Sequence, residues 1–189
     1  MNALEIGTSV FGAIYVVLAA RNIVWCWPAG IISAALCIAF DIEVKYYLDA
    51  VLQAYYVLAG FYGWYLWSKK DAAQQPETTI TSYTIRQLLP WLLLGLVLTP
   101  VLGYVFAGLG NSYPYVDAFT AVFSFITTYL TAKKVLQSWA MWVVIDAVLI
   151  AQYLVKNANV LAIFYLFLTI VAFYAYIDWH KQYRQRYGI

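Results

Sequence analysis

The sequence is poor in charged residues, and this scarcity excludes the commonest class of protein. Only 11% of its 189 residues are Asp, Glu, Lys or Arg, whereas a soluble domain carries about 25%. Hydrophobic residues make up 65% of the chain, and a globule of this size buries only about two-thirds of the surface of its unfolded chain. A soluble globule and a disordered chain are therefore excluded. The composition predicts an all-α protein that is surrounded by lipid.

Residues that support catalysis or metal binding are scarce as well. The chain has two cysteines, Cys26 and Cys37, and one histidine, His180. The two cysteines share one apolar segment and would lie about 16 Å apart on a helix, too far for a disulfide, so they are predicted to be packing residues. The sequence holds no Ser-His or Cys-His pair within a span, no metal-ligand cluster and no phosphate-binding glycine loop. We expect no enzyme, no catalytic residue, no metal and no cofactor.

What the chain does have is a series of long apolar segments. A spanning helix needs about 20 apolar residues, with a usual range of about 17–25. Seven segments meet this requirement, and a polar linker at 68–87 precedes the fourth. A turn-rich segment at 108–114 follows the fourth, and a mostly basic tail at 180–189 ends the chain. The predicted spans are 4–20, 24–40, 46–67, 88–106, 115–131, 138–155 and 160–179.

The basic residues test this count, because cytoplasmic loops of membrane proteins hold the excess of Lys and Arg. Seven spans leave only Lys45 and Lys156 on one side. The other nine basic residues fall together on the opposite side, and they are Arg21, Lys69, Lys70, Arg86, Lys133, Lys134, Lys181, Arg184 and Arg186. Merging or dropping a span would mix the two sets. The pattern predicts an external N-terminus and a cytoplasmic C-terminus. The net charge of +2 gives no indication of nucleic-acid binding.

The chain also matches itself at an offset of 112 residues without a gap. The informative pairs are Glu5 with Asp117, Arg21 with Lys133, Trp27 with Trp139, Tyr62 with Tyr174, and Trp67 with Trp179. Helices 1–3 then match helices 5–7, and helix 4 stands alone. The predicted units are a first repeat at 1–67, a linker with helix 4 at 68–114, and a second repeat with the basic tail at 115–189. Four crossings separate the repeats, so they are parallel, as in SWEET-type transporters, whose solute site lies between the repeats.

Asp146 lies near the middle of the sixth span. Burying a carboxylate at that depth costs at least about 2.5 kcal/mol, so such a group normally faces a cavity or a partner. Its counterpart in the first repeat is Ala34, so the fold itself does not require an acid there. Asp146 is expected to face the pathway and favour a cationic or hydroxyl-bearing solute. The alternative is a structural contact, with a tyrosine hydroxyl or as a protonated acid between helices.

Several aromatic and amide side chains could complete a binding site. Trp139, Trp142 and Asp146 share one helical face, so two indoles and a carboxylate could surround a flat cation. Trp139 could equally be an interfacial anchor, and the last aromatic residues of the third span are predicted to lie at the membrane interface. Gln53 could bind a solute hydroxyl or carboxamide, or form an interhelical hydrogen bond. The candidate binding residues are Trp27, Gln53, Tyr56, Trp139, Trp142, Asp146 and Tyr165.

Acidic residues cluster in and around the loop between the second and third spans. Asp41, Glu43 and Asp49 lie there together with Lys45. A solvated loop is the simplest interpretation. Asp49, one turn inside the third span, could instead guard the entrance to the pathway.

Five motifs together resemble the Pnu family of vitamin transporters, over nearly the whole chain apart from the linkers. They are WCWPAG at 25–30, YLDAVLQ at 47–53, YGWYLW at 62–67, PYVD at 114–117 and WxxW at 139–142. The resemblance implies a three-plus-one-plus-three SWEET-like fold, a homotrimer, and vitamin uptake by facilitated diffusion across the bacterial inner membrane. It also implies trapping of the solute by a cytoplasmic kinase, without required contact with the carrier.

The resemblance carries roles onto particular residues. Trp139 and Trp142 match the family's ligand-binding Trp-x-x-Trp motif, and Gln53 matches the glutamine of its third helix. Two departures leave the solute open. Gln137 and Ser138 stand where nicotinamide riboside carriers have Glu-Asn, and Asp146 stands where they have Asn.

The family includes carriers of nicotinamide riboside, thiamine and riboflavin. The first two solutes carry a cationic ring that suits an aromatic cage with a carboxylate, whereas neutral riboflavin gains nothing from Asp146. Nicotinamide riboside is the first expectation, because it is the family's central solute, and thiamine is the close alternative. A SWEET-type sugar carrier is a more distant alternative, and a membrane enzyme or receptor is disfavoured by the missing catalytic groups.

Overall fold

The structure, a computed structural model, describes residues 3–43, 47–70 and 78–188, and these ranges form seven helices. The loop residue Lys45, the predicted span start at 46, and linker residues 71–77 lie outside the described residues. Helices α1, α2, α4, α6 and α7 are long and apolar enough to cross a membrane. The helices are α1 (Ala3–Ala20), α2 (Cys26–Glu43), α3 (Tyr47–Ser68), α4 (Ile85–Gly108), α5 (Pro114–Ala132), α6 (Gln137–Val155) and α7 (Asn159–Tyr187).

The prediction of an all-helical chain with seven helices is confirmed, but the expected ends differ most at the C-terminus. Helix α7 continues through the predicted basic tail as far as Tyr187. Arg184 and Arg186 lie in its last turn, where cations interact favourably with the partial negative charge of a helix C-terminus. Gly188 then ends the helix in the left-handed conformation, with φ of 67°.

Six of the helices form a closed ring. Following the order α1, α2, α3, α5, α6, α7, each helix contacts the next, and α7 contacts α1. Among the contacts between described helices, α4 packs on α5 alone, outside the ring. Helix α5 therefore touches α3, α4 and α6, and it buries four threonines and a serine. Because α5 faces protein more than lipid, it can carry these hydroxyl groups.

Four buried tryptophans close one end of the ring. Trp27, Trp67, Trp139 and Trp179 are each at most 6% exposed, and we call them the tryptophan cluster. The Trp67 and Trp179 ring centroids lie 5.9 Å apart at its centre. Trp27 packs edge-on against Trp67, with centroids 5.5 Å apart, and Trp139 packs in the same way against Trp179, also at 5.5 Å.

Two hydrogen bonds join the halves of the ring at this cluster. The Trp67 indole Nε1 donates to the Ala132 carbonyl oxygen, and the Trp179 Nε1 donates to the Ala20 carbonyl oxygen, both at 3.0 Å. The first bond connects α3 to α5 and the second connects α7 to α1, which are the two places where the helix triplets meet. Each bond satisfies a carbonyl at the C-terminus of a helix, which has no partner within that helix.

These contacts recur at the offset that the sequence predicts. Trp179 lies 112 positions after Trp67, and Ala132 lies 112 positions after Ala20. The connections after α1 and α5 also correspond at this offset. Asn22 in the first and Lys134 in the second both adopt positive φ, at 58° and 54°. The two triplets therefore share local backbone conformation as well as packing, which supports the predicted repeat.

The expected interfacial position is wrong for Trp67. The indole is 6% exposed and lies inside the bundle, whereas its neighbours Trp64 and Tyr65 are 36% and 60% exposed. Sequence depth alone cannot distinguish these residues, because burial depends on where α5 and α7 pack against α3.

The end of the linker packs against the connection between α5 and α6. Thr81 donates from its backbone to the Lys134 carbonyl oxygen at 3.0 Å and accepts from Leu136 at 2.8 Å. The Gln137 side chain accepts from the Tyr83 backbone at 2.9 Å and donates to the Ser82 hydroxyl at 2.8 Å. The linker thus holds the start of α6 in place on the side of the tryptophan cluster.

We expect Trp67→Phe and Trp179→Phe to destabilise the protein by similar amounts. Each variant keeps most of the ring volume but loses one hydrogen bond, which contributes about 1 kcal/mol. Thermal unfolding in detergent, followed by circular dichroism, should show each Tm lowered by about 2–4 °C. Trp64→Phe is the matched control, because the Trp64 side chain faces outward. An equal loss in the control would refute the role given to the two bonds.

Candidate functional site

A cavity of about 380 Å³ lies inside the ring. Its volume falls within the range of about 300–1,000 Å³ that is usual for small-molecule sites. All six ring helices contribute lining residues, and α4 contributes none. Trp27 and Trp139 belong to both the lining and the tryptophan cluster, so the cluster closes the cavity on that side.

The structure brings all of the predicted binding residues together. Each one lines this cavity, although they come from four different helices. They are Trp27 on α2, Gln53 and Tyr56 on α3, Trp139, Trp142 and Asp146 on α6, and Tyr165 on α7. Contact with a solute remains a prediction for each of them.

Asp146 is the most unusual residue in the cavity. It is 3% exposed and lies halfway along α6. Within the described ranges, its carboxylate has no hydrogen bond or ion pair, so the alternative of a bond to a tyrosine hydroxyl is not seen there. Its counterpart Ala34 also lines the cavity. Of these two corresponding positions, only the one on α6 carries an acid. A bound cation would compensate the charge of that carboxylate.

The two tryptophans of α6 occupy different environments. Trp139 is 3% exposed and packs edge-on against Trp179, so the alternative of an interfacial anchor is wrong for it. Trp142 is half-buried, and its indole Nε1 donates to the Thr131 hydroxyl at 3.2 Å. That bond connects the Trp142 ring of α6 to α5 beside the cavity.

The polar residues on α3 and α7 add further groups to the lining. Gln53 is half-buried, and its amide has no hydrogen-bond partner in the part of the chain that the structure describes, so the interhelical bond considered above is not seen there. Tyr56 lines the cavity together with Ser124 of α5. The Tyr165 ring stacks on Tyr153, with centroids 5.4 Å apart and planes 14° from parallel.

Sequence reasoning missed several hydroxyl-bearing lining residues. Ser33, Ser124, Thr128 and Tyr15 all line the cavity. Ser124 and Thr128 lie one turn apart on α5, and this spacing of small hydroxyls within an apolar helix was the signal that could have revealed them. Ser33 also donates to the Thr8 carbonyl oxygen at 2.8 Å, so its hydroxyl helps to join α2 to α1.

The groups at the opposite end of the ring lie outside the cavity. Asp117 pairs with Lys156 at 3.9 Å and accepts a short hydrogen bond from Gln152. Asp49 is exposed and does not line the cavity, as expected for a solvated residue, and its role as an entrance guard stays a prediction. The solvated interpretation is wrong for Asp41, which lies on α2, is 6% exposed and accepts a hydrogen bond from Cys37 one turn earlier.

The two cysteines are free thiols, as the sequence predicts. Cys26 is fully buried in the core that contains the tryptophan cluster, and Cys37 donates to Asp41 at 3.7 Å.

Close to Cys26, the Lys134 ammonium lies 4.4 Å from the centre of the Trp67 ring. Burial lowers the pKa of Lys134 to about 8. The cation–π contact offsets part of the cost of burying that charge.

The sequence matches a known protein family over nearly its whole length. The family model described as nicotinamide mononucleotide transporter matches residues 2–181. The chain belongs to this transporter family. The structure of this family member is similar to a crystal structure of the vitamin B3 transporter PnuC, with a TM-score of 0.76 and 25% sequence identity. That alignment covers 94% of this chain and 80% of the other.

Curated relatives agree with this assignment. The nicotinamide riboside transporter PnuC of Escherichia coli is 22% identical, over 97% of this chain and 87% of its own length. The protein of the same name from Neisseria mucosa is 26% identical, over 95% of this chain and 73% of its own. The predicted resemblance to the Pnu transporters is therefore confirmed. A transporter family with several apolar helices also makes this chain a multi-pass membrane protein.

The structure separates the two departures from the family pattern. Gln137 points to the linker, where it binds Ser82 and Tyr83, and it does not line the cavity. Ser138 is fully buried beside it and is also absent from the lining. Among these three positions, only Asp146 lines the cavity.

We expect Gly63→Ala to disturb the cavity through Trp27. A methyl group at Gly63 would overlap the buried Trp27 ring, so the ring or one of the two helices must shift. Overpacking of this kind costs about 1–3 kcal/mol. Thermal unfolding in detergent should show a lower Tm than for the wild type. Gly108→Ala is the control, because nothing lies within 4 Å of a methyl group there. A Tm that falls in Gly108→Ala but not in Gly63→Ala would contradict the proposed overlap with Trp27.

Proposed function

We propose that this family member carries nicotinamide riboside across the membrane. The observation that carries the proposal is the buried Asp146 carboxylate beside Trp139 and Trp142, in a closed ring of helices. Nicotinamide riboside has a pyridinium ring, which an indole face attracts by about 0.5–2 kcal/mol. The names of the curated relatives support the same solute.

The neutral part of the solute also finds suitable groups in this cavity. Gln53 offers an amide that has both donors and an acceptor, and Ser124 and Thr128 offer hydroxyls. Such groups suit ribose hydroxyls or a carboxamide. The proposed site therefore combines a flat cation-binding part on α6 with a hydrogen-bonding part on α3 and α5.

The route of transport follows from the charges at the two ends. Basic residues such as Arg21, Lys133 and Lys181 lie near the tryptophan cluster, so we place that end in the cytoplasm. All seven helices would then span the bilayer, as two parallel three-helix repeats joined by α4. The described conformation is closed at the tryptophan cluster, and uptake requires that cluster to open.

Facilitated diffusion is the proposed mode, because the sequence shows no nucleotide-binding loop. We place the protein in a bacterial inner membrane, where a cytoplasmic kinase would trap the solute by phosphorylation without contact with the carrier. We also propose that the protein forms a homotrimer and that it is a carrier without enzymatic activity. The apolar outer face of α4, which packs only on α5 among the described helices, is available for contact with other copies.

Thiamine is the second candidate, and Asp146 is the observation that favours it. A carboxylate replaces the amide that nicotinamide riboside carriers have at this position, and the thiazolium ring of thiamine is also a flat cation. A SWEET-type sugar carrier finds less support, since a neutral sugar leaves the buried carboxylate without a counter-charge.

We expect Asp146→Ala to weaken the binding of a cationic vitamin by about tenfold or more, which is the effect of one lost charge-assisted contact. Titration of the purified protein with nicotinamide riboside, thiamine and riboflavin, followed by calorimetry, measures the effect. Asp178→Ala is the control, because Asp178 binds Gln182 on the same helix and does not line the cavity. Unchanged affinity in Asp146→Ala would assign a structural role to Asp146.

Purified protein in liposomes should equilibrate labelled nicotinamide riboside without ATP or an ion gradient, because a uniporter uses only the gradient of its solute. The measurement is uptake over time, with protein-free liposomes as the control. Accumulation above the external concentration that collapses with a proton ionophore would contradict facilitated diffusion. Equilibration of thiamine but not of the riboside would favour the second candidate.

A further inference from the structure

Thr131 on α5 is fully buried and does not line the cavity, yet it contacts a side chain that does. The Trp142 indole Nε1 donates to the Thr131 Oγ1 at 3.2 Å. The Thr131 hydroxyl donates its own proton to the Thr127 carbonyl oxygen at 2.9 Å. Since that single proton is committed to the backbone, the oxygen lone pairs of Thr131 are available to accept from Trp142.

We propose that Thr131 is a positioning residue, which fixes the Trp142 ring in the orientation that binds the cationic ring of the solute. This inference rests on the proposed function and extends it to a residue outside the cavity. Cation–π attraction depends on the ring face being presented to the cation. A ring that is held before the solute arrives loses less conformational freedom on binding.

The fold does not require a threonine at this position. The residue 112 positions earlier is Ala19, which is also fully buried at the same place on α1. The counterpart of Trp142 is Gly30, so the first triplet packs its helices with neither the hydroxyl nor the indole. The pair of Thr131 and Trp142 occurs only in the triplet that also carries Asp146. This coincidence links the hydroxyl to the solute site rather than to helix packing.

Thr120 provides a matched control on the same helix. It is 7% exposed, and its hydroxyl donates to the Val116 and Asp117 carbonyl oxygens. It therefore makes the same kind of backbone contact as Thr131, but within the described ranges it accepts from no side chain. Replacing each threonine by valine removes a hydroxyl at nearly constant volume.

The experiment is a binding titration of the full-length protein in detergent with nicotinamide riboside and, separately, thiamine. Thr131→Val should weaken the binding of the better of these two vitamins by about fivefold to tenfold, the usual effect of one lost hydrogen bond. Thr131→Ser keeps the hydroxyl and should restore affinity to within about twofold, and Thr120→Val should bind as the wild type does.

A double-mutant cycle distinguishes positioning from general stability. Trp142→Phe has no indole N–H, so in that background Thr131→Val should cause no further loss of affinity. Additive losses, or equal losses in Thr131→Val and Thr120→Val, would overturn the proposal. If the wild type binds neither vitamin, the proposed function fails. If the wild type binds and Thr131→Val binds equally well, only the role of Thr131 fails.

Discussion

Two indole–carbonyl hydrogen bonds hold the halves of this protein together at the point where its ring of helices closes. Trp67 reaches the last turn of α5 and Trp179 reaches the last turn of α1, each at 3.0 Å. In a lipid environment apolar contacts between helices give little driving force for association, so specific hydrogen bonds and close packing decide which helices meet. The tryptophan cluster supplies both, and it also closes the cavity at that end.

The closed ring gives polar side chains a place away from lipid. Asp146, Gln53, Ser124 and Thr128 all face its interior, while the outer surfaces of α4 and α7 are rich in exposed apolar residues. Helix α5 shows the same constraint at Thr120 and Thr131, whose hydroxyls donate to backbone carbonyl oxygens of their own helix. The distribution follows from the cost of placing an unsatisfied polar group in hydrocarbon.

The two triplets share helix connections and packing but differ in the residues that lie in the cavity or contact its lining. Their tryptophans, helix connections and cross-contacts recur at the same offset. At three positions the second triplet carries a chemically active residue where the first has a small one: Asp146 against Ala34, Trp142 against Gly30, and Thr131 against Ala19. The two triplets therefore place different chemical groups at corresponding positions, and any function must be argued from those groups rather than from the fold.

The sequence by itself determined the helix count, the family and part of the cavity lining, because apolar length, basic-residue placement and rare Trp or Asp residues are local signals. It could not distinguish Trp67, which is buried, from Trp64, which faces outward, or identify the contribution of Ser33 and Thr131. The extension of α7 to Tyr187 was also not foreseen. Only the tertiary structure decided these points, because burial and hydrogen-bond partners depend on which helices pack together, and residues such as Thr131 and Trp142 acquire their relation only when α5 and α6 meet.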